Sequence, residues 1–253
     1  MKKAIAYLCL LLTLLNSCSN TKKVEGNENL PKKTSIEKEK EAKWKLTWSD
    51  EFNYSGLPDS SKWGYDVGGH GWGNNELQFY TKADTSNAIV ANGILKIIAR
   101  KQIIENKQYT SARLLTKDKA EFKYGKIEVR AKLPAGKGTW SAIWMLGSNV
   151  SKVGWPLSGE IDIMEHVGYE TDSIYGALHT KAYNHNINTQ KVNSIYNATP
   201  YSQYHLYSLE WTPDAIDFFV DGKVFNHFKN EHLSVNEWPF DQNMVWMKIF
   251  FLP

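Results

Sequence analysis

The sequence predicts an all-β fold, and three observations carry that prediction. Short alternating runs separated by turn residues fill the chain from Trp44 onward. No segment keeps a helical period with caps at both ends. Turn dipeptides punctuate the runs, Asn92-Gly93 before a strand candidate and Asp221-Gly222 where a tight hairpin needs it. Many short strands at this spacing suggest a β-sandwich or jelly roll of about 200 residues. No internal repeat is visible.

The elements follow in chain order. Met1-Lys2-Lys3 is a short basic start, and Ala4 to Leu15 is a twelve-residue apolar run ending near Cys18. Such a run is too short to span a bilayer and suits the core of a signal peptide. Leu15-Asn16-Ser17-Cys18 resembles a bacterial lipobox, although Asn16 departs from the usual small residue. The expectation is a signal peptide over residues 1–17 and a lipid on Cys18. Residues 18–43 are then a polar, lysine-rich tether that cannot bury enough apolar surface to order itself. This places the protein in a bacterial cell envelope, lipid-anchored at the outer membrane or cell surface. The other cysteine, Cys9, lies inside the apolar run, so a mature domain would hold no disulfide.

The charge changes meaning once the leader is set apart. The whole chain carries +3, but residues 1–43 hold nine Lys and five Glu. From Trp44 onward 21 basic residues meet 22 acidic ones, and all ten Trp lie there. A near-neutral domain rich in Trp argues against nucleic acid and against polyanions in general.

Within residues 44–253, Ile94–Arg100 is a strand candidate opened by Asn92-Gly93. Lys126–Leu133 alternates strictly, so Ile127, Val129, Ala131 and Leu133 share a face. Ala215–Val220, Asp221-Gly222 and Lys223–Phe225 form a hairpin signature.

Gly159 to Gly168 (GEIDIMEHVG) is the most informative segment. Glu160 and Asp162 are two apart and point to one face, while Ile161 and Ile163 point to the other. Glu165 falls on the wrong face of a regular strand. One bulge between Asp162 and Glu165 brings it back. Three carboxylates then line one stripe, and like charges that close hold a proton near neutral pH. Glycoside hydrolysis requires such a pair, one carboxylate to attack and one carboxylic acid to protonate the leaving oxygen. The same pattern also describes a solvated acidic strand face.

The surroundings of that strand resemble glycoside hydrolase family 16, in particular its laminarinase-like β-1,3-glucanases. The resemblance runs from Trp48 to about Gln242. It includes Trp48–Phe52, Gly71–Gln78, Tyr109–Arg113, Phe122–Gly125, Trp140–Leu146, Gly159–Gly168, Leu178–Thr180 and Trp238–Gln242. It implies a concanavalin A-like jelly roll with a groove across its concave sheet. It also implies retaining endo-hydrolysis of β-1,3-glucan, with Glu160 as nucleophile, Glu165 as acid/base and Asp162 orienting Glu160. A non-hydrolytic β-glucan-binding protein and a hydrolase of mixed-linkage β-glucan are the alternatives. By the same resemblance Trp140 and Trp144 face the groove; as residues alone they suit core packing equally. Asn74, Glu76, Arg113 and His179 are further candidates for substrate contact. Arg113 reads otherwise as an ion pair, and His179 as a structural histidine or a neighbour of Glu165. His179 and His185 have no zinc spacing, and no cofactor is expected to be required. The family often carries a structural calcium, with Glu51 near one ligand position. A monomer is expected.

The resemblance weakens after Gln242. The chain reads Asn243 to Pro253 where the family continues with further closing strands. Val245, Ile249 and Phe251 alternate as a strand. The expectation is a catalytic domain whose C-terminal strands are incomplete.

Overall fold

The structure is a computed structural model and describes residues 44–246 and 250–252. The expected signal peptide, Cys18 and the expected tether lie outside the described residues, as does Ile249. The strands begin with β1 (Gly64–Asp66), β2 (Gln78–Tyr80), β3 (Ala88–Ala91), β4 (Ile94–Ile97), β5 (Arg100–Ile104) and β6 (Lys107–Ser111). There follow β7 (Arg113–Leu115), β8 (Glu121–Phe122), β9 (Gly125–Ala131), β10 (Trp140–Gly147), β11 (Glu160–Val167) and β12 (Ser173–His179). The last are β13 (Lys191–Tyr196), β14 (His205–Trp211), β15 (Ala215–Val220), β16 (Lys223–Lys229), β17 (Met244–Trp246) and β18 (Phe250–Leu252).

Two sheets make the sandwich. The larger runs β13-β12-β11-β10-β17-β8, with β18 also paired to β10. The smaller runs β16-β15-β14-β9. Between them lies one core, in which Ile143, Met145, Ile161, Ile163, Ile174 and Leu178 from the first meet Ile127, Tyr207, Leu209, Trp211, Ile216 and Phe218 from the second. Burial of these faces is the main favourable term holding the layers together. Trp63, Trp211 and Trp238 are buried in this core, and Trp48 packs against it.

The sequence periodicity accounts for most of these elements. Ile127 and Leu133 are buried and Val129 and Ala131 pack on the core, as the alternation requires. Asn92-Gly93 and Asp221-Gly222 close two-residue hairpins with both central residues at positive φ, the geometry whose twist matches paired strands. The predicted strand Ile94–Arg100 is instead divided. Asn87 binds both backbone groups of Ile98, its main-chain oxygen accepting at 2.8 Å and its side chain donating at 2.9 Å. The chain turns there and exchanges its partner β3 for β6. Val245 lies in β17 and Phe251 in β18, both antiparallel to β10.

Two close approaches bracket β11. A Cβ on Gly159 would lie 2.7 Å from Pro239 Cγ and 3.0 Å from Phe240. A Cβ on Gly168 would lie 1.8 Å from the Gly136 carbonyl oxygen. Neither position has room for a side chain.

Candidate active site

The site is built on β10, β11 and β12. In β11 the pairing slips by one residue. Trp144 faces Asp162 and Ile143 faces Met164, so Ile163 is the extra residue. Against β12, Asp162 faces Ala177 and Glu165 faces Tyr175, three residues spanned by two. Ile163 and Met164 are adjacent and both join the core. The bulge therefore turns two consecutive apolar side chains inward and returns Glu165 to the face of Glu160 and Asp162. The geometry matches the one-residue bulge that the spacing requires.

Glu160 and Glu165 are partly exposed, and Asp162 is buried. Glu160 lies between Leu146 and His179 across the two neighbouring strands. His179 Nε2 is 3.3 Å from Asp162 Oδ2. Oxygens of Glu160 and Asp162 and a nitrogen of His179 all lie within 4.8 Å of one another. The Trp140 indole N–H donates to Glu165 Oε1 at 3.0 Å. His179 stands against Asp162, and its charge acts on both Glu160 and Glu165.

The electrostatics follow from crowding acids under the groove. Burial, then the charge of Asp162, lifts the Glu160 carboxyl to about 8. Burial, then the charge of Glu160, lifts Glu165 to about 7, with His179 and the Trp140 N–H pulling the other way. Asp162 is also raised well above the usual carboxylate range, by burial and then by the charge of Glu165. Three such groups cannot all ionise at neutral pH. Oxygens of Glu160 and Asp162 lie within 4.8 Å of each other, and the charge of Glu165 acts on Asp162, so a proton held here belongs to the group and not to one carboxyl. With a proton on Asp162, Glu160 is left ionised beside a donor.

The groove floor is aromatic. Trp72, Trp140 and Trp144 pack around Tyr80 and Ala142. The Arg113 guanidinium lies 4.6 Å over the Trp72 ring and 5.1 Å over the Trp144 ring, and its Nε is 3.1 Å from Asp66. Arg113 is buried, so it braces the two indoles as well as offering nitrogen donors. Glu76 is buried too, accepting from Gln78 at 2.7 Å and Tyr80 at 3.0 Å. Through Tyr80 it joins the cluster of Trp72, Trp140 and Trp144. Asn74 is exposed in the turn after Gly71. Trp155 and His185 were not anticipated. Their rings lie 4.8 Å apart, and Trp155 is 6.0 Å from His179. Trp155 Nε1 makes no hydrogen bond of ordinary geometry, yet it stands near enough to lower the Glu160 carboxyl slightly.

Glu51 is exposed. Among the described residues, Glu160, Asp162 and His179 are the one group of three acidic, histidine or cysteine side chains gathered closely enough for a metal. That group does not include Glu51.

A β-glucanase of Rhodothermus marinus is 48% identical over 249 residues, 96% of this chain and 83% of its own length. A glucan endo-1,3-beta-glucosidase of Cryptopygus antarcticus is 38% identical over 215 residues, 79% of this chain and 77% of its own. The X-ray structure of the laminarinase from Rhodothermus marinus superposes with a TM-score of 0.81 at 50% identity, covering 83% of this chain and 86% of that one. The family model of glycosyl hydrolases family 16 matches residues 75–251, including all of β10, β11 and β12. With β11 carrying its acids on one face of a jelly-roll sheet, this chain belongs to glycosyl hydrolases family 16.

Proposed function

We propose that this protein is a retaining endo-β-1,3-glucanase acting on laminarin-like polysaccharide. The single observation that carries the reading is the β11 bulge, which puts Glu160 and Glu165 on one face with a carboxyl at about 7 on Glu165. An ionised Glu160 oxygen bonds to the anomeric carbon. The bond from that carbon to the glycosidic oxygen breaks, and the Glu165 proton passes to the departing oxygen. Water then gives its proton to Glu165 and its oxygen to the anomeric carbon, freeing Glu160 with net retention. Asp162 steadies Glu160 and shares its proton. The aromatic residues of the groove suit the C–H faces of a neutral glucan.

Glu160→Gln should lower kcat on laminarin by roughly 10⁴-fold or more while glucan binding persists. Reducing-end release measures the rate, and proton NMR of the first product measures the anomer. An unaltered rate in the variant, or an α product from the parent, would sink the assignment. Glucan retention on an affinity gel by a parent that releases no sugar would favour the binding-protein alternative. A larger kcat/KM on mixed-linkage β-glucan than on laminarin would favour that substrate instead.

The reading extends to the leader. A lipid on Cys18 holds the enzyme at the cell envelope, a reading supported by the apolar run that ends near that cysteine. Cys18→Ala should move activity from the membrane fraction to the soluble fraction.

A further inference from the structure

Glu165 stands between aromatic residues on the two neighbouring strands. On β10, Trp140 donates to its Oε1. On β12, Tyr175 is its direct cross-strand partner. Parity in β12 settles where Tyr175 points. Ile174 and Leu178 are core residues. A Cβ on Gly176 would lie 2.9 Å from Phe218 and 3.0 Å from Phe225, both inside the sandwich. Tyr175, Ala177 and His179 therefore face the groove. Tyr175 is partly exposed, and its phenol donates to Glu170 in the turn that follows β11. Two further tyrosines stand at this end of the sheet with their rings in solvent, Tyr169 at 66% exposure and Tyr196 at 72%. Tyr196 pairs with Ser173, two residues from Tyr175.

We infer that Tyr175, tethered by Glu170, is the surface against which the leaving half of a cleaved glucan packs. This rests on the glucanase reading and adds to it the residue that grips the product. The acid must reach the glycosidic oxygen, so the departing sugar lies on the Glu165 side of the scissile bond. Trp140 and Tyr175 border Glu165 on the two adjoining strands. A pyranose ring presents an apolar C–H face that suits an aromatic ring, and Glu170 adds an acceptor for a hydroxyl beside it. Tyr175 is thus a specificity-determining residue for the leaving-side glucosyl unit.

Two substrates separate this role from a structural one. Laminarin leaves behind a sugar; β-laminaribiosyl fluoride leaves behind only fluoride, with no sugar to grip. For Tyr175→Ala, the ratio of kcat/KM on laminarin to kcat/KM on the fluoride should fall about tenfold. Tyr175→Phe keeps the ring and loses the bond to Glu170, so its ratio should fall less than that of the alanine variant. Equal losses on both substrates would assign Tyr175 to the fold or to Glu160 and overturn the inference. An unchanged ratio with normal laminarin turnover would overturn it as well. A parent protein that cleaves neither substrate would instead overturn the glucanase reading, and this inference with it.

Discussion

The two sheets each contain a bulge, and they use it for different ends. In β11 the extra residue is Ile163, and the adjacent Ile163 and Met164 both enter the core. In β16 Phe218 faces Asn226 and Phe219 faces Val224, so Phe225 is extra. There Phe225 packs on the core, and the adjacent Asn226 is buried. The first bulge matters for what it sends outward, the Glu165 carboxyl. The second matters for what it sends inward, an amide that donates to the Gly176 carbonyl oxygen at 2.9 Å. That bond crosses from the smaller sheet to β12 of the larger. One local device, two adjacent side chains on the same face, yields chemistry in one layer and alignment in the other.

Deletions in β11 test the comparison most harshly. Removing Ile163 and Met164 together should abolish activity, because regular alternation then drives the Glu165 carboxyl into the core. Removing Ile163 alone should be tolerated far better. Asp162, Met164 and Glu165 then alternate without a bulge, and the carboxylate stays in the groove. Reducing-end assays on both variants, with circular dichroism to report folding, decide the matter. Equal activity in the two variants would break the account of the bulge.

Glu165→Gln should lower kcat on laminarin by about 10²–10⁴-fold. It should also remove the alkaline limb of the kcat profile. In the parent that limb falls as pH rises through about 7, where Glu165 loses the proton it must donate. A variant that kept the same limb would assign it to another group.

Asn226→Ala tests the second bulge and should act on stability alone. Leaving the Gly176 carbonyl without its buried donor should cost about 1–2 kcal/mol in urea unfolding. The kcat per folded molecule should not change.

The last effect has the less obvious sign. Glu165 titrates at about 7 when folded against an ordinary value of 4.5. Between these values the unfolded chain has released a proton that the folded chain still holds, so stability falls as pH rises. The contribution is complete below about 4.5 and lost above about 7. Glu165→Gln should therefore melt a few degrees above the parent at pH 8 and match it near pH 4.5, in calorimetric scans at both.

The legible and illegible parts of the site divide on a physical line. The bulge was legible because strand parity is a local property. Two carboxylates on one face and a third on the wrong face need one extra residue, whatever surrounds them. Trp140 and Trp144 were legible as a pair for the same reason, four residues apart in one strand. Tyr175, Trp72 and Trp155 were not. Their place beside the acids depends on which strand pairs with which and in what register, and nothing within β12 names Glu165 as the partner of Tyr175. Glu76 stood out in its motif, but its partners Gln78 and Tyr80 did not. The divided strand at Ile98 was hidden likewise, since the interruption comes from Asn87, eleven positions earlier.

The crowding at Gly159 and Gly168 has a consequence for tolerance in the machinist's sense. β11 is set between two end stops, Pro239 and Phe240 at one and the Gly136 carbonyl at the other. Each stop sits where the strand has no side chain to yield. A strand free to creep along its axis by the width of a methyl group would change the span between attacking oxygen and donated proton. Close packing at both ends opposes such play across the eight residues between them.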